Sequence, residues 1–207
     1  MSTYITHLDV NFNPDDLNYI RTTILGFHNL NRNTLLSKYN TGNTLHKPAL
    51  GYYIPLFKST HTDRTVSSWK ELNSIPDENL NIDIIRMSIT DSLHQNLYVI
   101  NPKSPFNEVF YNTLKRILDN IPVDFQQESA TASVQEFGYS MKFHTDAGVK
   151  SRVHINLNEY SLDYFYTSDG CYRMEYGKCY LFEASKTQHG FMSFQTEPRV
   201  HLIMDII

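Results

Sequence analysis

From residue 131 onward the chain is written with a period of two. Segments 131–137, 151–158, 162–167, 171–176, 178–184, 190–194 and 199–206 are short, alternating and rich in Val, Ile, Tyr and Phe. Alternation places one set of side chains on one face of an extended chain, whereas a helix needs a recurrence near 3.6. Gly, Asp and Asn separate the segments, with turn signals at Asp169-Gly170 and Tyr176-Gly177-Lys178. Many short strands at even spacing lead to two packed sheets. The fold expected is mainly β with flanking helices: a double-stranded β-helix, or jelly-roll barrel, of cupin type.

Two helices are expected to back one sheet. Pro14-Asp15-Asp16 opens one over residues 15–25, with acidic residues suited to a first turn. Ser104-Pro105 reads as an N-cap followed by the first helical residue. Phe106, Val109, Phe110, Leu114, Ile117, Leu118 and Ile121 then recur at helical spacing, so one face is expected to be buried. Residues 28–80, rich in Asn, Thr, Ser and Lys, read as loops, and 82–90 and 96–100 as strands. The reading is one domain over 1–207: an N-terminal elaboration over about 1–100, then a helix and β-barrel core over about 101–207.

A net charge of -4 with no basic cluster argues against a nucleic-acid partner. Cys171 and Cys179 make neither a disulfide framework nor a four-cysteine zinc site, and read as reduced, buried or half-buried thiols. The first residues lack the pattern of a signal peptide, and no apolar run approaches the ~20 residues of a membrane span. The expected location is the cytoplasm.

The tripeptide H-T-D occurs twice, at His61-Thr62-Asp63 and His144-Thr145-Asp146. Residues i and i+2 of an extended segment point to one side, so either pair has the geometry for two metal ligands. The first copy lies among Thr60, Arg64 and Thr65 with no partner set after it, and reads as a solvated loop. The second lies just before a strand, and His189 follows 45 residues later, far enough for the chain to lead around a barrel and back. Two His and one carboxylate leave coordination positions open, the donor set of non-haem Fe(II) oxygenases, and Ni, Co or Zn would also bind. The open side has room for a bidentate 2-oxo acid and for O2. The distal carboxylate of such an acid needs a cation, best an arginine fork, and Arg199 starts the last strand ten residues past His189. Arg199 and His201 share a face opposite Val200, Leu202 and Met204. Arg152, His154 and Asn156 likewise stand opposite Val153, Ile155 and Leu157.

His144-x-Asp146, Arg152-x-His154, Gly177-Lys178, His189 and Arg199, in that order, resemble the aspartyl/asparaginyl β-hydroxylase family over roughly residues 130–206. That group consists of Fe(II)- and 2-oxoglutarate-dependent oxygenases, and bacterial proline hydroxylases are similar members. The resemblance implies iron ligands at His144, Asp146 and His189. It implies that Arg199 pairs with the distal carboxylate of 2-oxoglutarate and that Ser133 supports it. His154 falls near the other carboxylate, beside the metal. Arg152 and Lys150 fall where the family meets an acidic group of the substrate. Animal aspartyl β-hydroxylases lack the Asp of H-x-D, so retention of Asp146 places this chain nearer the three-ligand bacterial members. The implied reaction is hydroxylation of an unactivated C–H in a free amino acid or an amino-acid side chain of a peptide.

Two rivals stand beside that reading. A cupin-like isomerase or small-molecule sensor would bind metal without consuming 2-oxoglutarate. A β-sandwich interaction module would bind no specific metal, with His144-x-Asp146 a surface pair and Arg152 bonded to Asp163 or Glu159.

Overall fold

The structure, a computed structural model, describes residues 5–39, 51–55, 106–125, 130–135, 140–146, 148–160 and 162–206. The strands expected at 82–90 and 96–100, Ser104-Pro105 and the first H-T-D lie outside the described residues.

Ten strands are described: β1 (Ile5–Leu8), β2 (Gly51–Pro55), β3 (Thr131–Gln135), β4 (Ser140–His144), β5 (Ser151–Asn156), β6 (Asp163–Thr167), β7 (Gly170–Arg173), β8 (Cys179–Phe182), β9 (His189–Ser193) and β10 (Arg199–Ile206). They form a six-stranded sheet in the order β1-β8-β5-β10-β3-β2 and a four-stranded sheet in the order β4-β9-β6-β7. The strand pairs within the sheets are antiparallel. Contacts such as Phe182 on His189 and His154 on Phe165 join the sheets face to face, which is the jelly-roll arrangement expected. The strands that the alternation predicts all form. It missed β1, β2 and β4.

Helices α1 (Pro14–Tyr39) and α2 (Glu108–Asp119) cover the outer face of the six-stranded sheet. Leu17, Ile20, Ile24 and Phe27 of α1, with Phe110, Leu114, Ile117 and Leu118 of α2, pack against Ala132, Val134, Val153, Ile155, Val200, Leu202 and Met204. Burial of this apolar surface is the main force that fixes the layer. Arg116 forks onto both oxygens of Asp16, at 2.9 and 2.7 Å, and ties the helices at the surface.

Four expectations need correction. Helix α1 continues to Tyr39, through residues that composition assigns to a loop. The N-cap of α2 is Asn107, not Ser104: its side chain accepts from the Phe110 N–H at 2.9 Å. Phe106 lies outside the helix and meets Tyr111 edge-on, the staple contact between N′ and N4 that fixes where the chain enters. Val109 points to solvent, because it stands roughly 120° round the helix from the centre of the face that Phe110, Leu114, Ile117 and Leu118 bury. Of the two free thiols, Cys179 is buried and Cys171 is exposed.

Candidate metal centre

The second H-T-D sits at a register fault that aims it. β4 pairs with β9 through Ser140↔Met192 and Met141↔Phe191, and then shifts so that His144 faces His189. Continued without the shift, the register would place Phe143 opposite His189. The bulge inserts one residue on β4, and such an insertion re-aims the side chains beyond it. Phe143 consequently faces solvent, while the His144 and His189 rings stand 4.3 Å apart, centroid to centroid.

Asp146 is held by its backbone. Its N–H donates to the Ala184 carbonyl at 3.0 Å, and its own carbonyl accepts from Val149 at 3.4 Å. Gly148, two residues on, has φ +83°, in the left-handed region that favours glycine, and a side chain there would be strained. Its carboxylate lies 3.6 Å from His144 Nε2 and 3.3 Å from His189 Nε2. One potential ligand atom from each of the three residues lies within 4.8 Å of the others.

Hydrogen bonding fixes the form of His189. Its Nδ1 lies 2.9 Å from the Thr187 carbonyl, which can only accept, so Nδ1 carries a proton and Nε2 is the nitrogen turned toward Asp146. Phe165 stacks on the ring and Phe182 meets it edge-on. Burial pushes the Asp146 carboxyl up, but contact with His189 and the charges of Arg152, His189 and His144 outweigh it, and its pKa lies below the ordinary value. Asp146 is therefore an anion at neutral pH. Two imidazoles and a carboxylate suit Fe(II), and the same set accepts other divalent first-row metals.

Deeper between the sheets is a second polar cluster. Arg199 is fully buried and stacks 4.4 Å over the Phe191 ring. It donates to Gln135 Oε1 and, at 2.9 Å, to His201 Nδ1. Because arginine only donates, His201 must accept at Nδ1 and carry its proton on Nε2, which lies 3.3 Å from Asp163 Oδ2. The same oxygen is 3.4 Å from Arg199 Nε. Burial, followed by the Arg199 charge, lowers the His201 pKa to about 4 against the raising effect of Asp163. His201 is neutral and Asp163 is the counterion of Arg199.

His154 lies between the two clusters, against Phe165, Phe182 and His201. Burial, then the proximity of His201 and of the cations Arg152 and Arg199, drives its pKa well below the ordinary value. Both its ring nitrogens and Ser133 Oγ are buried with no hydrogen-bond partner among the described residues. Ser133 is the cross-strand neighbour of His201 on the same inward face. Buried polar atoms of this kind need a partner, and a polar acid bound between the metal ligands and Arg199 would supply one.

The remaining expected residues separate. Arg152 meets two carboxylates among the described residues, neither of them the Asp163 or Glu159 of the structural alternative. Its Nη1 lies 2.5 Å from Asp146 Oδ2 and its Nε 2.6 Å from Asp205 Oδ1. Lys150 is exposed on the segment leading into β5, and its backbone carbonyl accepts from Ser185 Oγ at 3.4 Å. Sequence reasoning missed Gln135 and Asp205 as members of the inward face. Both were accessible to parity, since 199, 201, 203 and 205 share one side of β10 and Gln135 stands opposite Arg199.

The model of the family described as Aspartyl/Asparaginyl beta-hydroxylase matches residues 93–207, more than half of the chain. The chain belongs to the aspartyl/asparaginyl β-hydroxylase family. The family match begins before α2, well upstream of the strands that carried the resemblance in sequence. No curated protein matches. Among solved structures, this β-hydroxylase family member is similar to a conserved protein of unknown function from Streptococcus pyogenes, with 13% identity and a TM-score of 0.31 over 37% of this chain and 61% of that one. It is also similar to a sugar phosphate isomerase of the cupin superfamily from Silicibacter pomeroyi, at 15% identity and a TM-score of 0.29 over 38% of this chain and 49% of that one. A 2OG-Fe(II) oxygenase family oxidoreductase from Burkholderia pseudomallei matches at 11% identity and a TM-score of 0.34, over 48% of this chain and 50% of that one. In all three the match spans less than two thirds of the other chain. Among the described residues no helix of this family member is long and apolar enough to cross a membrane.

Proposed function

We propose that the protein is an Fe(II)- and 2-oxoglutarate-dependent dioxygenase that hydroxylates an unactivated C–H of a free amino acid or of an amino-acid side chain in a peptide. The observation that carries the reading is one interior space between the two sheets, where His144, Asp146 and His189 converge from the four-stranded side and a fully buried arginine stands on the six-stranded side.

His144, Asp146 and His189 would hold Fe(II), which when bound supplies the oxidising chemistry from O2 and the 2-oxo acid. The protein's own part is placement and exclusion of water. Arg199 would receive the distal carboxylate of 2-oxoglutarate, and Ser133 Oγ would donate to it. His154, neutral, would meet the carboxylate nearer the metal with a ring N–H. Phe165, Phe182 and Phe191 wall the space between the clusters with apolar surface. Lys150 and Arg152, at the mouth, would meet a carboxylate on the substrate. The setting we infer is the cytoplasm, where both thiols stay reduced, and no nucleic-acid partner belongs to this reading.

One observation favours a second reading, a cupin-like metal-binding isomerase or small-molecule sensor without 2-oxoglutarate turnover. The charge of Arg199 already faces Asp163. The two readings separate in an anaerobic spectrum of the Fe(II)-loaded protein. A weak visible charge-transfer band on adding 2-oxoglutarate, followed by succinate release in air, supports the dioxygenase. Iron loading with neither band nor succinate supports the second reading.

A further inference from the structure

We propose that Asp205 is a positioning residue for the metal centre, acting through Arg152 on the carboxylate of Asp146. The inference rests on the metal-site reading above and assigns a task to an acidic residue which that reading leaves out.

The geometry is a chain of three charges. Asp205 and Arg152 are direct cross-strand partners on β10 and β5, so their side chains leave the sheet on one side. Asp205 Oδ1 takes Arg152 Nε at 2.6 Å, and Arg152 Nη1 reaches Asp146 Oδ2 at 2.5 Å. A guanidinium is a rigid plane, so gripping it at Nε fixes the direction of Nη1. Asp146 itself comes from a loop turn, where backbone bonds leave its side-chain torsions unfixed. The guanidinium sets the carboxylate plane, and the adjacent central strands of the large sheet set the guanidinium.

Charge and burial give the arrangement weight. Side-chain exposure is 18% for Asp146 and Arg152 and 22% for Asp205, so solvent screens these contacts only in part. Alone, Arg152 would neutralise Asp146 and repel a divalent cation. With Asp205 the triplet carries a net charge of -1, and the cation keeps a negative neighbourhood. Removing Asp205 therefore has two effects in one direction: Arg152 swings, and one negative charge leaves the site. Outer partners of metal ligands typically change affinity about 10- to 100-fold.

The test is a Co(II) titration of the full chain, read by visible ligand-field absorption and equilibrium dialysis, with unfolding curves alongside. Asp205→Asn and Asp205→Ser are expected to weaken Co(II) binding by about tenfold and to change the band shape. Asp205→Glu is expected to recover much of the loss. In an Arg152→Gln background, Asp205→Asn is expected to add only the smaller effect of one lost charge, well short of its effect in the wild type, because its route to Asp146 is gone. Wild-type affinity and spectrum in either folded variant, or full additivity with Arg152→Gln, would overturn the proposal and leave the metal site standing. A wild-type protein that takes up no Co(II) would overturn both.

Discussion

His144 and His189 are cross-strand partners, and they face each other only because β4 carries one extra residue between Met141 and His144. One ligand is thus set by register and a second by a turn, and no single segment of the chain holds the site.

Metal binding should depend on all three residues. His144→Ala, His189→Ala and Asp146→Ala are each expected to weaken Fe(II) or Co(II) affinity by well over tenfold, while His61→Ala, in the other H-T-D, leaves it unchanged. Dialysis with metal analysis reads this directly. Saturating metal should also raise the wild-type Tm, since binding to the native state alone stabilises it. The Asp146→Ala protein should lose that increment.

Arg199 ties co-substrate to stability. Arg199→Met is expected to abolish 2-oxoglutarate binding and to destabilise by about 3–5 kcal/mol, because it strands the buried carboxylate of Asp163. The double variant Arg199→Met with Asp163→Asn should recover most of the stability and none of the binding. Urea unfolding and an anaerobic 2-oxoglutarate titration separate the two effects. A double variant no more stable than the single would contradict the pairing.

Acid should weaken the fold in two stages. The pKa of His201 falls from 6.5 to about 4 on folding, so between those values the unfolded chain binds a proton that the folded chain refuses. Stability is therefore lost as pH falls through that window, at up to about 1.4 kcal/mol per pH unit for one such group. His154 shifts in the same direction and adds to the slope. Asp163 is held below its ordinary value by His201 and Arg199, which outweigh its burial, and its contribution disappears at still lower pH. His201→Gln keeps an acceptor toward Arg199 and a donor toward Asp163 without the titration. Its unfolding free energy should change less between pH 6.5 and 4.5 than that of the wild type.

The cap of α2 offers a control remote from the chemistry. Asn107→Ala is expected to cost about 1 kcal/mol and to leave metal affinity unchanged, while Ser104→Ala is neutral. Chemical denaturation distinguishes the two residues.

The strands were readable where both faces are packed in strict alternation. On β5 and β10 the polar residues point between the sheets and the apolar ones toward the helices, so sequence parity maps onto layers. β4 escaped because its bulge breaks the period, and β1 because four residues with only Ile5 buried carry too little pattern. The cap of α2 was misplaced because Ser104 and Asn107 both qualify chemically. The Phe106–Tyr111 contact that decides between them exists only in three dimensions. At the site, the order of His144, Asp146, His189 and Arg199 in sequence pointed to residues that do meet in the space between the two sheets. The counterions were harder to see. Asp163 and Asp205 lie far from their partners along the chain, and only antiparallel pairing or sheet packing brings them together.

Strand β10 divides two environments that evolve under different rules. Its residues at 200, 202 and 204 meet hydrocarbon from the helices, and those at 199, 201 and 205 meet charge. Exchange at the first set is limited by volume, since every methylene there is packed. Exchange at the second is limited by valence, since each charge has a named partner. A lineage can therefore rewrite what the cavity recognises by paired changes on one side of a single strand, while the scaffold on the other side stays constant.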